Sequence, residues 1–225
     1  YVRAEYEDHN EPTPCYLVVR QHPALQVAAV AKIPGVGKEL QAAGAYMGEG
    51  LEMVPAETID MMVPAGAEII IEGLIRPNKR QFEGPFGEWP KYYYKEGDQP
   101  FMEVTAITMR KNPIFQSVFN AHSEHHILGA VPRIGSLYRR IRDSVPSVTA
   151  VNLPLSAMGR SHVYISLKKR AEGEPKQAAM AAFVTESTIK HAFVVDDDID
   201  VFDENEVLWA LAMRFQADRD LVIIP

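Results

Sequence analysis

The run Glu68-Ile69-Ile70-Ile71-Glu72-Gly73-Leu74-Ile75 decides the fold. A β-branched stretch of this length between Pro64-Ala65-Gly66 and Arg76-Pro77-Asn78 reads as a strand. Its neighbours carry the same signature around Ile59 to Val63, Lys91 to Tyr94, Phe101 to Met109 and Ile114 to Phe119. Lys111-Asn112-Pro113 suits a hairpin turn between the last two, because Asn-Pro favours turn initiation. Short strands with Pro and Gly punctuation from Leu51 to Phe119 predict an antiparallel sheet or barrel.

Between these strands lies Glu83-Gly84-Pro85-Phe86-Gly87-Glu88. Residues five apart in a continuous strand point to opposite faces, so the two glutamates share a site only if the backbone reverses between them. Gly84-Pro85-Phe86-Gly87 is expected to supply that reversal, with proline at the second turn position and glycine at the fourth. Two carboxylates brought together in a partly dry cleft would repel, favouring proton retention by one of them, which is the profile of a general acid. The same stretch also reads as a hairpin tip carrying two solvated glutamates.

Working outward, residues 1 to 13 are polar, and Pro14 to Arg20 reads as a buried strand. A helix is expected from Pro23 through Ala31, ended by Pro34-Gly35, and another from about Gly37, stopped by Gly48. Leu40, Ala43, Gly44 and Met47 form its apolar stripe, and Glu39 sits in its first turn, where the helix dipole favours a carboxylate. From Ser123 to Arg142 the pattern is one kinked helix or two short ones around Pro132, a natural hinge. Strands at Val148 to Leu153, His162 to Leu167, His191 to Val195 and Leu221 to Ile224, with helices at Pro175 to Val184 and Glu204 to Phe215, form a small α/β domain. The expected class is thus α+β, with 1–121 part of a barrel domain, 122–145 a linker helix and 146–225 an incomplete C-terminal α/β domain.

Composition narrows the function. Among 225 residues, 23 basic against 30 acidic side chains give a net charge of -7, with no basic block to track phosphate backbones, so nucleic acid is not an expected partner. One cysteine, Cys15, excludes an internal disulfide framework, and neither a secretory segment nor a membrane span is evident. A cytoplasmic protein without a membrane partner is the expectation. The chain opens at Tyr1 and closes on the apolar Leu221-Val-Ile-Ile-Pro225, so a longer parent is expected.

Other clusters read as structural. Asp196 to Asp200 fails as a calcium loop, since Val201 and Val207 stand where glycine and glutamate are needed; Asp203 instead reads as a helix N-cap with Glu206 as its capping-box partner. His122, Glu124, His125 and His126 share a helix start, but their spacing matches no zinc motif. Gly35-Val36-Gly37 is half of a dinucleotide fingerprint with no acid at the required distance.

Several stretches in order resemble the UbiD family of prenylated-flavin-dependent decarboxylases: Val63-Pro-Ala-Gly-Ala-Glu-Ile-Ile-Ile-Glu-Gly73, then Glu83-Gly-Pro-Phe-Gly-Glu88, then Val194-Val-Asp-Asp-Asp-Ile-Asp-Val201 with Val207-Leu-Trp-Ala210. The resemblance covers nearly all of this chain and about half of a family member. It implies that the barrel is a split, flavin-reductase-like one. It also implies prenylated FMN as cofactor, Glu88 as the acid that protonates the substrate carbon after carbon dioxide leaves, and Glu83 in a charge network with an arginine and that donor. Glu39 is implied to help hold a divalent metal, manganese or magnesium, against the flavin phosphate, with potassium as a further ion; oxygen ligation suits such cations. The flavin would act as an electron sink.

In the family the network arginine and the asparagine and histidine of the metal site lie upstream of where this chain begins. Lys32 stands where members commonly have proline, and no lysine matches a phosphate-binding one near Val184. The implied activity is reversible, non-oxidative decarboxylation of an aromatic, heteroaromatic or α,β-unsaturated acid by a homo-oligomer, dimer or hexamer. A non-catalytic UbiD-like subunit serving assembly is the alternative, and a flavin reductase is disfavoured because hydride transfer needs no acid pair.

Overall fold

A computed structural model describes residues 2–31, 33, 35 and 37–224, so Lys32, Pro34 and Val36 of the readings above lie outside the described residues. They divide into two compact units, Tyr1–Ala121 and His122–Pro225.

In the first unit, α1 (Val2–Asp8), β1 (Thr13–Val19), α2 (Pro23–Ala29), α3 (Lys38–Met47), β2 (Met53–Pro55) and β3 (Met62–Pro64) lead into β4 (Ile69–Ile75). Then come β5 (Gln81–Glu83), β6 (Phe86–Gly87), β7 (Tyr93–Tyr94), β8 (Gly97–Gln99) and β9 (Met102–Met109). The decisive run is the central strand: β1 and β9 flank β4, both antiparallel. One face packs inward, with Ile70 buried among Val63, Ala67, Tyr16 and Val18. Val18 also meets the helices, where Leu25, Ala28 and Ala43 are buried. The helices follow from their ends: Pro23 opens α2 with His22 as N-cap, and α3 stops where Gly48 adopts a left-handed φ of 76°.

A bulge between Glu72 and Gly73 opposes β9 and inserts Thr105, since Glu72 pairs Ala106 while Gly73 pairs Val104. Only glycine fits there, because a Cβ on Gly73 would lie 2.5 Å from the Glu103 carbonyl oxygen. Glu72, 1% exposed, accepts hydrogen bonds from the backbone of Glu57 (2.9 Å) and Thr58 (2.8 Å) and from the Thr58 hydroxyl (2.8 Å). This clamps the turn ahead of β3.

The second unit contains α4 (Ser123–Ser144), β10 (Val148–Asn152), a 3-10 turn at Leu155–Ala157, β11 (His162–Leu167), α5 (Glu174–Thr185), β12 (His191–Asp196), α6 (Glu204–Arg214) and α7 (Ala217–Asp220). Its sheet runs β10-β11-β12, antiparallel then parallel. Leu137, Ile141, Val163, Ile165, Leu167, Ala178 and Ala182 form the core on the side of α4 and α5; Tyr164, Val201, Val207 and Ala210 form the other, under α6. Burying a leucine or isoleucine of this kind contributes about 1.5–3 kcal/mol. Pro132 lies inside α4, which is one helix.

Two expected strands are absent. Among the described residues, 114–119 and 221–224 are assigned to no strand. The first is tied by side chains instead: Ile114 N–H donates to Glu68 (3.1 Å) and Gln26 donates to Gln116 (3.0 Å). Apolar composition made both resemble strands, but a strand also needs an edge to pair with. The architecture is mixed α+β with open sheets; no barrel closes among the described residues. Among the described residues no helix is long and apolar enough to cross a membrane.

Candidate functional site

The two acids sit on one β-ribbon. β5 pairs with β8 (Glu83 opposite Gly97) and β6 with β7 (Gly87 opposite Tyr93), in one register, so the four short strands are two arms of a single hairpin. This corrects the expected reversal at Gly84 to Gly87. That stretch continues along the arm, and the chain turns at residues 88–92. The ladder is only interrupted at Gly84-Pro85, where proline has no N–H to donate. Glu83 and Glu88 therefore lie along one arm, and no hydrogen bond joins them among the described residues.

The tip holds Glu88 firmly. Its backbone N–H donates to the Tyr92 carbonyl (2.9 Å), and its carbonyl accepts from Lys91 N–H (3.0 Å), with Lys91 at a φ of 65°. The Trp89 N–H donates to carboxyl Oε2 (3.2 Å). Oε1 has no hydrogen-bond partner among the described residues, so the half-buried carboxyl is anchored through one oxygen. Glu83 is exposed at the end of β5. Phe82, Phe86, Tyr92, Tyr93 and Tyr94 are exposed along the same ribbon.

Sequence reasoning missed Asn120. Its side-chain amide donates to the Gly87 carbonyl, while its Oδ1 accepts from Ala121 N–H (3.1 Å), Ala121 having a φ of 59°. Asn120 thus ties the segment after β9 to the residue preceding Glu88. The available signal was a small polar residue beside a left-handed turn position ahead of a helix.

Glu39 occupies the first turn of α3, whose N-cap Gly37 has a φ of 72°. Among the described residues no group of three or more His, Cys, Asp or Glu is placed to hold a metal ion, and Glu39 is in no such group. His122 caps α4, His126 is buried at 4% exposure, and the His125 and His126 rings stack at 6.1 Å.

The acidic loop of the second unit is structural. Arg214 binds Asp198 through two hydrogen bonds (2.8 and 2.6 Å) and lies over the Trp209 ring. Asp203 caps α6 by accepting from Asn205 N–H (2.9 Å), as expected. Glu206 departs from the capping box, reaching back to Asp200 N–H (2.9 Å). Behind β11, the buried Tyr164 hydroxyl donates to Glu204 (2.7 Å), which also accepts from Ser156. A groove of about 680 Å³ between α4 and α5, lined by Arg140, Asp143, Lys176 and Met180 among others, includes none of the three glutamates.

Two family models match the chain: the 3-octaprenyl-4-hydroxybenzoate carboxy-lyase (UbiD) Rift-related domain over residues 2–123 and the C-terminal domain of the same carboxy-lyase over 126–225. Anhydromevalonate phosphate decarboxylase of Methanothermobacter thermautotrophicus is 34% identical over 97% of this chain and 52% of its own length. Gallate decarboxylase of Lactiplantibacillus plantarum is 33% identical over 98% of this chain and 48% of its own. An evolved dimeric form of the UbiD-class enzyme HmfF from Pelotomaculum thermopropionicum, solved with prFMN, superposes with a TM-score of 0.95 at 43% identity, covering 99% of this chain and 52% of that one. The chain spans about half the length of the relatives it matches.

Proposed function

The chain belongs to the UbiD family, and on that premise we propose that it forms the proton-handling half of a non-oxidative, reversible decarboxylase of aromatic, heteroaromatic or α,β-unsaturated carboxylic acids. The observation that carries the reading is the tip of the ribbon: Glu88 is held by three backbone interactions and keeps one carboxyl oxygen without a hydrogen-bond partner among the described residues. An acid so placed can deliver a proton to a carbon that has lost carbon dioxide, and recover it in the reverse direction. Glu83 lies five residues back along the same extended arm and would act on that donor only through a charged group supplied from outside residues 1–225. Prenylated FMN, as in the HmfF complex, would supply the electron sink when bound.

The residues present do not make the manganese or magnesium site alone. Glu39 offers one oxygen, and six or more oxygen ligands are usual for a hard divalent cation. Manganese or magnesium would require further ligands from outside residues 1–225. The closed split barrel and the homo-oligomer belong to the same proposal.

The test is a polypeptide carrying residues 1–225 together with the half that the relatives have outside the match, loaded with prenylated flavin. It should release carbon dioxide from at least one hydroxybenzoate, heteroaromatic or α,β-unsaturated acid. Glu88→Gln should lower that rate about 10²–10⁴-fold with folding intact. Unchanged turnover in the variant would remove Glu88 from the role.

A further inference from the structure

Two histidines open adjacent strands of the second unit. His162 starts β11, His191 starts β12, and the parallel ladder makes them register partners. The two strand starts are pinned together, because the backbone N–H groups of Lys190 (2.8 Å) and His191 (3.2 Å) both donate to the Ser161 carbonyl. Register partners on neighbouring strands stand side by side on one face of a sheet, about 5 Å apart. The imidazoles accordingly meet edge to face, with centroids 5.0 Å apart and planes at 87°.

Their face is the one under α6, where Tyr164 and Phe193, two residues further along the same strands, pack. Phe193 packs against the His162 ring at 5.3 Å and against the Tyr164 ring at 5.4 Å, which holds the first imidazole in place. His191 is exposed and His162 half-buried, so the pair is open to solvent on one side. None of the four ring nitrogens has a hydrogen-bond partner among the described residues. Two imidazolium ions this close would repel, which favours the neutral rings that can donate a lone pair. Glu204, the first residue of α6, is near enough to act on the charge of His162. Its Oε1 accepts from Tyr164 and Ser156, which leaves Oε2 without a hydrogen-bond partner among the described residues.

We infer that His162 and His191 form a binding site for a divalent transition cation of zinc type, chelated by one nitrogen of each ring. Imidazole suits such cations, whereas manganese, magnesium and calcium prefer oxygen, so this site differs in kind from the one expected at Glu39. Two side chains fall short of a closed three-residue cluster, and water fills the remaining positions. The Glu204 carboxylate offsets part of the added positive charge. A bound ion would join β11 to β12 and stabilise the folded second unit by linkage.

The experiment titrates the metal-free 225-residue chain with zinc sulfate and follows its seven histidine rings by long-range proton–nitrogen NMR. His162 and His191 should shift together along one binding curve, and magnesium should move neither. His191→Asn should abolish the zinc-dependent shift at His162. Saturation of the two rings at different zinc concentrations, shifts confined to the other histidines, or an undiminished His162 shift in folded His191→Asn overturns the inference. If that variant does not fold, the unsubstituted chain decides through diethyl pyrocarbonate modification read by peptide mass spectrometry. Zinc should then protect His162 and His191 in parallel, and protection of neither or of only one overturns the inference. No readout involves flavin or turnover, so failure here is distinguishable from failure of the decarboxylase assignment.

Discussion

Asn120 donates its side-chain amide to the carbonyl oxygen of Gly87, one residue before Glu88. The bond fixes the arm from which the proposed proton donor projects. Asn120→Ala should cost about 1 kcal/mol of stability. In the flavin-loaded whole protein it should lower kcat about tenfold, as a barrier increase near 1.4 kcal/mol would, with KM little changed. Asn120→Asp, which sets a carboxylate against the carbonyl, should be worse than alanine. Steady-state kinetics beside urea unfolding checks both.

That contact shows where sequence reading stopped. β1, β4, β9, α2 and α3 were legible because β-branched runs, Pro23 and Gly48 specify local structure directly. The pair Glu83 and Glu88 was legible as a motif, but its geometry was not. Pro85 and the two flanking glycines look like a turn, yet pairing with Tyr93-Tyr94 and Gly97 to Gln99 keeps the arm extended. The information lay downstream, in the partner arm from Tyr93 to Gln99. Residues 114–119 differ in the opposite sense: the composition suits a strand, yet the segment is tied by the Glu68 and Gln26 side chains and is assigned to no strand. Asn120 offered only a small polar residue ahead of a helix as a signal, because its partner is a backbone carbonyl, which carries no sequence signature.

Glu72 should set an acid limit to stability. Burial pushes its carboxyl up, but hydrogen bonds from Glu57, Thr58 and Ile59 outweigh that and hold it below the usual glutamate value. A carboxyl depressed in the folded state stabilises the fold above its unfolded pKa, and the contribution is lost as pH falls through the folded value. Glu72→Gln sets an amide N–H₂ against those donors and should cost about 1–3 kcal/mol at pH 7. Urea unfolding from pH 7 downward should show the difference narrowing in acid.

Tyr164 should act at the alkaline end. Burial, followed by its hydrogen bond to Glu204, pushes the phenol from 10.0 up to about 12. Because the folded state holds the proton more tightly, this contribution is complete below pH 10 and is lost as pH rises toward 12. Tyr164→Phe should lose about 1 kcal/mol near neutrality and show a flatter decline above pH 10. Thermal unfolding of both proteins across that range measures it.

Gly73→Ala should be among the most damaging single changes in the first unit. The added Cβ would meet the Glu103 carbonyl oxygen and the Met102 side chain, both at 2.5 Å, and the carbonyl belongs to the strand ladder. Either β9 shifts or the bulge is lost, at a cost of about 1–3 kcal/mol. A lowered urea midpoint with unchanged m-value is the expected signature.

Glu88 is the residue proposed to carry the proton. The most direct measurement follows solvent deuterium into the decarboxylated product, incubated in D₂O with the flavin-loaded whole protein and no added substrate acid. Exchange at the former carboxyl-bearing carbon needs a group that removes and returns a proton there, whether or not carbon dioxide is captured. Exchange is expected with the wild-type protein and its loss in folded Glu88→Gln. Exchange at the wild-type rate in that variant would contradict it.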